Sequence, residues 1–73
     1  MDLRDVLSTN LRRIRNDTGR TQEEMAHVLG ISLRYLGSIE RGNVSPSISL
    51  LGKFADALSV SPCELITPTR RNL

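Results

Sequence analysis

Apolar residues recur three and four positions apart along most of the chain, which is the spacing of one face of an α-helix. The first such stripe includes Leu3, Leu7, Leu11 and Ile14, and Asp2 precedes it as a capping residue. No segment of useful length alternates between apolar and polar residues with the period of two that a half-buried strand requires. The pattern therefore predicts an all-α fold, with a first helix over about residues 3–17.

Capping residues mark the start of the next two helices. Thr21 and the glutamate three residues later form a capping box, in which hydroxyl and carboxylate each take a free backbone N–H. This predicts a second helix over residues 22–29. A glycine turn follows, and Ser32 then caps a third helix over about residues 33–41, which ends at Gly42.

Two more helices complete the predicted fold. Ser47 caps the fourth, and residues 61–64 form a second capping box before a short fifth helix that Pro68 ends. The apolar, inward stripe of the fourth helix consists of Leu50, Leu51, Phe54, Ala55 and Leu58. We therefore expect one domain over residues 1–66 and a flexible tail over residues 67–73.

Length and composition narrow the class of protein. The 73 residues are 38% hydrophobic and 25% charged, as expected for one small folded domain. No apolar run approaches the roughly 20 residues that span a bilayer, and Asp2, Arg4 and Asp5 interrupt any signal peptide. The single cysteine, Cys63, cannot form an internal disulfide. We expect a cytoplasmic protein, at a prokaryotic nucleoid or encoded by a phage.

The charged residues make nucleic acid one candidate partner, but the net charge alone does not decide for it. The net charge is only +2, which is too small for a tail that coats nucleic acid indiscriminately. Nine of the ten basic residues are arginine, however, and arginine favours paired contacts to phosphate or base edges.

The second and third helices with their glycine turn predict a helix-turn-helix, a unit that places its second helix in the major groove of DNA. Four residues of the third helix share one face by their spacing: Arg34, Gly37, Ser38 and Arg41. This face is basic and lacks acidic residues, whereas Leu36 points to the core. A polar helical face is often only a solvated surface, and the surrounding motif favours the interpretation as a DNA-binding face.

Four spaced motifs carry a family resemblance. They are Gln22-x-x-x-Ala26-x-x-x-Gly30-x-Ser32, Leu36-x-x-Ile39-Glu40-Arg41-Gly42, Pro46-Ser47 and Leu58-x-Val60. Over roughly residues 7–66 the chain resembles the lambda-repressor-like helix-turn-helix family, often called Xre. Residues 35–42 also resemble restriction–modification controller proteins. The resemblance implies a compact five-helix domain that binds a roughly palindromic DNA operator as a homodimer and regulates transcription. Repression is the first expectation and activation stays open.

The residues that we expect to contact bases lie at the start and on the exposed face of the third helix: Ser32, Leu33, Arg34, Gly37 and Ser38. Arg34 leads this group, because its planar fork matches guanine O6 and N7. Leu33 either contacts a thymine methyl or packs against the second helix. Gly37 lets the helix approach the bases closely, is simply tolerated there, or relieves crowding from Arg15 or Tyr35, and we favour close approach.

A second group is expected to contact the phosphate backbone: Gln22, Tyr35, Arg41, Asn43 and Ser45. Gln22 opens the second helix, where free N–H groups and the helix dipole favour an anion. In the family that the chain resembles, the residue matching Gln22 clamps the DNA backbone. The same resemblance implies an inward ion pair between Arg15 and Glu40, which places the recognition helix more than it stabilises the fold.

The expected partners are double-stranded DNA and a second copy of the chain. Val60, Leu65 and Ile66 are the candidate dimer surface, since a short terminal helix leaves apolar area to cover. An antitoxin-like module that mainly binds another, unknown protein is the alternative. We expect no enzyme activity, no cofactor and no metal site, because one histidine and one cysteine among scattered carboxylates supply no catalytic or metal-binding cluster.

Overall fold

The computed structural model describes residues 1–68, and in that part of the chain all regular structure is helical. The elements are α1 (Leu3–Asp17), α2 (Gln22–Leu29), α3 (Leu33–Glu40), α4 (Ile48–Leu58) and α5 (Pro62–Ile66). The predicted all-α, five-helix architecture is confirmed. Positions 69–73, which make up most of the predicted tail, lie outside the described residues. None of the described helices is long and apolar enough to cross a membrane.

The predicted capping box at the start of α2 is present. The Thr21 hydroxyl accepts from the backbone N–H of Glu24 at 3.1 Å, and the Glu24 carboxylate accepts from the N–H of Thr21 at 2.8 Å. The hydrogen bond from the Thr21 backbone favours the ionised carboxylate and lowers the pKa of Glu24. The start of α2 is thereby fixed by its own capping residues, which matters because Gln22, a predicted phosphate contact, is the first residue of this helix.

The predicted second capping box, before α5, is wrong. The Ser61 hydroxyl accepts from the N–H of Cys63 at 3.3 Å instead of from that of Glu64. The Glu64 N–H donates to the Ser61 backbone carbonyl at 2.9 Å. Pro62 does occupy the first helical position, as predicted, where its missing N–H has no cost.

Within residues 1–68, eleven apolar side chains form one core that the five helices share. They are Leu7, Leu11, Ile14, Met25, Ala26, Leu29, Leu36, Ile39, Phe54, Ala55 and Leu65. α1 packs against α3 and α5, while α4 packs against α2 and α5. The predicted inward stripe of α4 packs on this core throughout its length. α3 is therefore fixed along its inner side by two neighbours, α1 and α2.

A buried asparagine joins α1 to the end of α5. The Asn10 side-chain amide donates to the backbone carbonyls of Leu65 at 2.9 Å and Thr67 at 3.0 Å. These carbonyls lie at the end of α5, where helical partners run out. Asn10 thus supplies hydrogen bonds that the last turn cannot make itself, and it anchors α5 to α1. The sequence pattern did not predict this role, because Asn10 is a polar residue within the apolar stripe of α1.

Candidate nucleic-acid interface

A left-handed glycine makes the turn between α2 and α3. Gly30 has φ +72°, and the N–H of Ile31 donates back to the Ala26 carbonyl at 3.0 Å. Such a conformation is strained for residues with a side chain, so the turn depends on glycine. Ser32 then caps α3, its hydroxyl accepting from the N–H of Tyr35 at 3.0 Å. The predicted helix-turn-helix geometry is present.

The two sides of α3 differ in burial as their residue types require. Leu36 and Ile39 are buried in the core. On the other side Arg34 is exposed, and Leu33 keeps 45% of its surface exposed. The structure thus places a large apolar side chain and a guanidinium at the accessible start of the helix. Their predicted contacts with bases stay predictions.

Gly37 lies on the outer side of α3 and is nevertheless buried, because the Arg41 side chain covers it. A Cβ added at Gly37 would lie 3.2 Å from Arg41 Nη1, and no side-chain atom of Arg15 or Tyr35 lies within 4 Å of that point. The suggested crowding by those two residues is therefore wrong. Arg41 Nη2 also donates to the Ser38 hydroxyl at 3.4 Å, so the guanidinium spans two members of the predicted base-contacting group.

The predicted ion pair between Arg15 and Glu40 is present, and one edge of the guanidinium contacts both carboxylate oxygens. Arg15 Nε lies 2.9 Å from Glu40 Oε2, and Arg15 Nη2 lies 3.2 Å from Oε1. The Glu40 side chain is 4% exposed and that of Arg15 18%. This paired, largely desolvated contact joins α1 to the last turn of α3 and fixes the angle of that helix.

Two hydrogen bonds to Glu40 were not predicted from the sequence. Gln22 Nε2 donates to Glu40 Oε1 at 2.9 Å, which connects the start of α2 to the end of α3. The buried Ser8 hydroxyl donates to the Glu40 backbone carbonyl. A serine among the leucines of α1 was the only sequence signal for the second of these contacts.

The predicted phosphate-contacting residues lie at the start of α2, on α3 itself and directly after α3. Gln22 is exposed at the first position of α2, and Tyr35 is half-buried against the core. Asn43 and Ser45 are exposed in the loop between α3 and α4. Arg41 differs from the rest of its predicted group, since its guanidinium is turned back over α3.

One residue of the predicted dimer surface is placed wrongly. Leu65 is completely buried in the core, so it cannot contribute to a surface between two copies. Val60 and Ile66 are half-buried and pack against that core. Two large apolar side chains outside the predicted set are more exposed, Leu3 at 51% and Ile48 at 88%.

These exposed side chains line one groove together with Ile66. Its remaining lining comes from Arg4, Leu7, Ser45, Pro46 and Leu51. The groove runs between the start of α1 and the start of α4, next to the loop that carries Asn43 and Ser45. Among residues 1–68, no group of three or more His, Cys, Asp and Glu side chains is arranged to hold a metal ion.

Known proteins match this chain over nearly its whole length. Residues 11–65 match a family model described as Helix-turn-helix (HTH_3). The protein y4dJ of Sinorhizobium fredii, named an HTH-type transcriptional regulator, is 45% identical over 69 residues, which are 94% of this chain and 90% of y4dJ. The matched residues include all of α2 and α3.

Two solved structures share the fold and more than 30% of the sequence. The hypothetical transcription factor NHTF from Neisseria superposes with a TM-score of 0.85 at 37% identity, covering 92% of this chain and 77% of NHTF. The restriction–modification controller protein C.AhdI from Aeromonas hydrophila has a TM-score of 0.77 at 34% identity, covering 85% of this chain and 94% of C.AhdI.

Proposed function

Because the chain belongs to the helix-turn-helix (HTH_3) family of transcription regulators, which are not enzymes, we propose that it represses transcription by binding a specific DNA operator through α3. The observation that carries this proposal is the exposed outer side of α3, which bears two arginines and no acidic side chain while the inner side is locked into the core. Repression requires only that the bound protein occupies promoter DNA. A regulator of this kind acts where the DNA is, in the cytoplasm of a prokaryote.

Base recognition is assigned to the start and middle of α3. Arg34 is exposed and presents its fork of N–H donors to guanine O6 and N7, the most frequent specific contact in major grooves. The exposed Leu33 side chain packs on a thymine methyl. The Ser32 hydroxyl accepts from the helix start and keeps its own proton to donate to a base acceptor.

Phosphate contacts are assigned to residues before, on and after α3. The Gln22 amide uses one N–H for Glu40 and has a second for a phosphate oxygen. Free backbone N–H groups of the first turn of α2 lie beside it. The exposed Asn43 and Ser45 side chains follow α3, and the Tyr35 hydroxyl supplies a further donor. Such contacts set the position of the protein without selecting sequence.

The operator is proposed to be an inverted repeat bound by two copies. A two-fold protein dimer places its recognition helices about 34 Å apart, one turn of DNA. The groove lined by Leu3, Ile48 and Ile66 is the proposed contact between copies. Of the predicted surface only Ile66 belongs to it, since Leu65 is buried and Val60 does not line the groove. Apolar residues grouped this way on a small domain mark an interaction surface. Its position beside the Asn43–Ser45 loop brings the two copies together at the DNA.

Random-site selection with the purified full chain tests the proposal. The expected result is enrichment of two related half-sites in inverted orientation, with centres about ten base pairs apart. Affinity for the recovered site should fall steeply with salt, because each neutralised phosphate releases counterions. A selection that enriches no sequence would contradict a specific operator.

The same groove supports the alternative function, an antitoxin-like module that binds a different protein. The two functions differ in what the isolated chain does. A specific regulator forms dimers and binds a selected sequence by itself. A chain that stays monomeric at high concentration and binds DNA without sequence preference would favour the interaction module.

A further inference from the structure

The Arg41 guanidinium lies over the middle of α3, although its Cα lies at the end of that helix. Arg41 Nη1 is 3.2 Å from the position of a Cβ at Gly37, and Nη2 is 3.4 Å from the Ser38 hydroxyl. Helical side chains point toward the N-terminus, so a long residue covers the turn before its own Cα. The charge is therefore carried one turn back, to the face expected to meet the bases.

Gly37 makes this conformation possible. The closest atoms to an added Cβ belong to the Arg41 guanidinium, and 3.2 Å is tighter than an ordinary contact. A glycine in the middle of a helix of eight residues lowers helix propensity. The space that it leaves is filled by the guanidinium, which gives a physical use for a residue that the helix itself disfavours.

We propose that Arg41 contacts a base edge in the major groove, with Gly37 and Ser38 as the seat that positions its guanidinium. This inference rests on the proposed DNA-binding function and changes the role of Arg41, which the sequence suggested as a phosphate contact. Arginine has five N–H donors, and the bond to Ser38 uses one. The remaining fork matches guanine O6 and N7, and Arg41 is exposed.

Arg41→Lys distinguishes a base contact from a phosphate contact, because lysine keeps the charge and loses the planar fork. Affinity is measured by fluorescence anisotropy, at fixed salt, for the selected operator and for variants with each base pair of one half-site replaced. We expect R41K to lose at least about tenfold of the discrimination at one base pair and to keep it at the others. A lysine variant with unchanged discrimination, or an equal loss on every sequence, would overturn the base contact.

Gly37→Ala tests the seat separately. The added methyl meets only the far end of a flexible side chain, so the fold should be retained with an equal or higher Tm. G37A should reduce discrimination at the same base pair as R41K, because it displaces the guanidinium. Gly52→Ala is the matched control: Gly52 lies within α4 with no atom within 4 Å of an added Cβ. G52A should raise Tm in the same way and leave DNA binding unchanged.

The double variant G37A/R41K distinguishes two explanations for Gly37: that it positions the Arg41 guanidinium, or that it only lets α3 approach the DNA closely. If Gly37 acts through Arg41, the double variant discriminates as R41K alone does. An additional loss of affinity in the double variant would mean that the methyl clashes with DNA itself, and the seat would be refuted. A wild-type chain without any sequence preference would refute the proposed function as well. If only the proposed role of Arg41 is wrong, the wild-type chain still binds its selected sequence specifically.

Discussion

Gln22 and Arg15 bind the same oxygen of the buried Glu40 carboxylate. Gln22 Nε2 donates to Oε1 at 2.9 Å, and Arg15 Nη2 donates to it at 3.2 Å, while Arg15 Nε lies 2.9 Å from Oε2. One carboxylate therefore joins α1, the start of α2 and the end of α3. The proposed phosphate contact at Gln22 is thereby fixed to the recognition helix, so the start of α2 and the end of α3 are held in one arrangement.

Glu40→Gln should destabilise the fold and weaken DNA binding without removing a DNA contact. Neutralising Glu40 leaves the Arg15 guanidinium largely desolvated without its counter-charge, a change that costs about 3 kcal/mol of unfolding free energy. Urea unfolding followed by circular dichroism measures the loss. Asp17→Asn is the control, because its contact with Arg13 is 3.7 Å long and exposed, and the effect should stay below about 1 kcal/mol. Equal losses for the two variants would contradict the role of Glu40.

Gln22→Ala should weaken binding to all DNA sequences by a similar factor. The amide lies at the edge of α3 where a phosphate is expected, and phosphate contacts carry no direct sequence information. Competition measurements with the operator and an unrelated duplex give the two losses. A loss confined to the operator would instead place Gln22 against a base.

Arg34→Ala should relax specificity at one base pair of each half-site. Arg34 is exposed at the start of α3, and a paired contact to guanine discriminates by about 1–3 kcal/mol. Affinities for operators substituted one base pair at a time locate the affected position. We expect affinity for unrelated DNA to fall much less than affinity for the operator. An equal fall on both would assign Arg34 to a phosphate instead.

Local signals in the sequence predicted the helices and most of the core. Periodicity identified the stripes of α1 and α4, and caps such as Thr21 located helix starts to within a residue or two. The same signals failed in α5, where five residues are too few for periodicity to decide that Leu65 faces inward. Ser61 likewise has the right spacing for a capping box, yet its hydroxyl bonds one residue earlier than the motif requires.

The remaining features that the sequence did not predict are contacts between helices and the conformations of long side chains. The family resemblance supplied the Arg15–Glu40 pair, but nothing in the spacing shows that the Gln22 amide turns toward Glu40. Nor does spacing show the path of a long side chain: Arg41 shares a face with Gly37 in any helix, and only the structure shows its guanidinium covering that glycine. Side-chain conformation and tertiary packing decide such details, and these depend on the whole fold.

Ile48→Arg should separate the two copies of the proposed dimer while leaving the monomer folded. Ile48 is 88% exposed, so the substitution disturbs no packing within one copy, yet it puts a charge at the groove lined by Leu3 and Ile66. Analytical ultracentrifugation should show a monomer, and affinity for the full operator should fall although the added charge attracts DNA. Ala57→Arg is the control, since Ala57 is exposed on the same helix and does not line the groove. A variant I48R that remains a dimer would show that the copies meet on another surface.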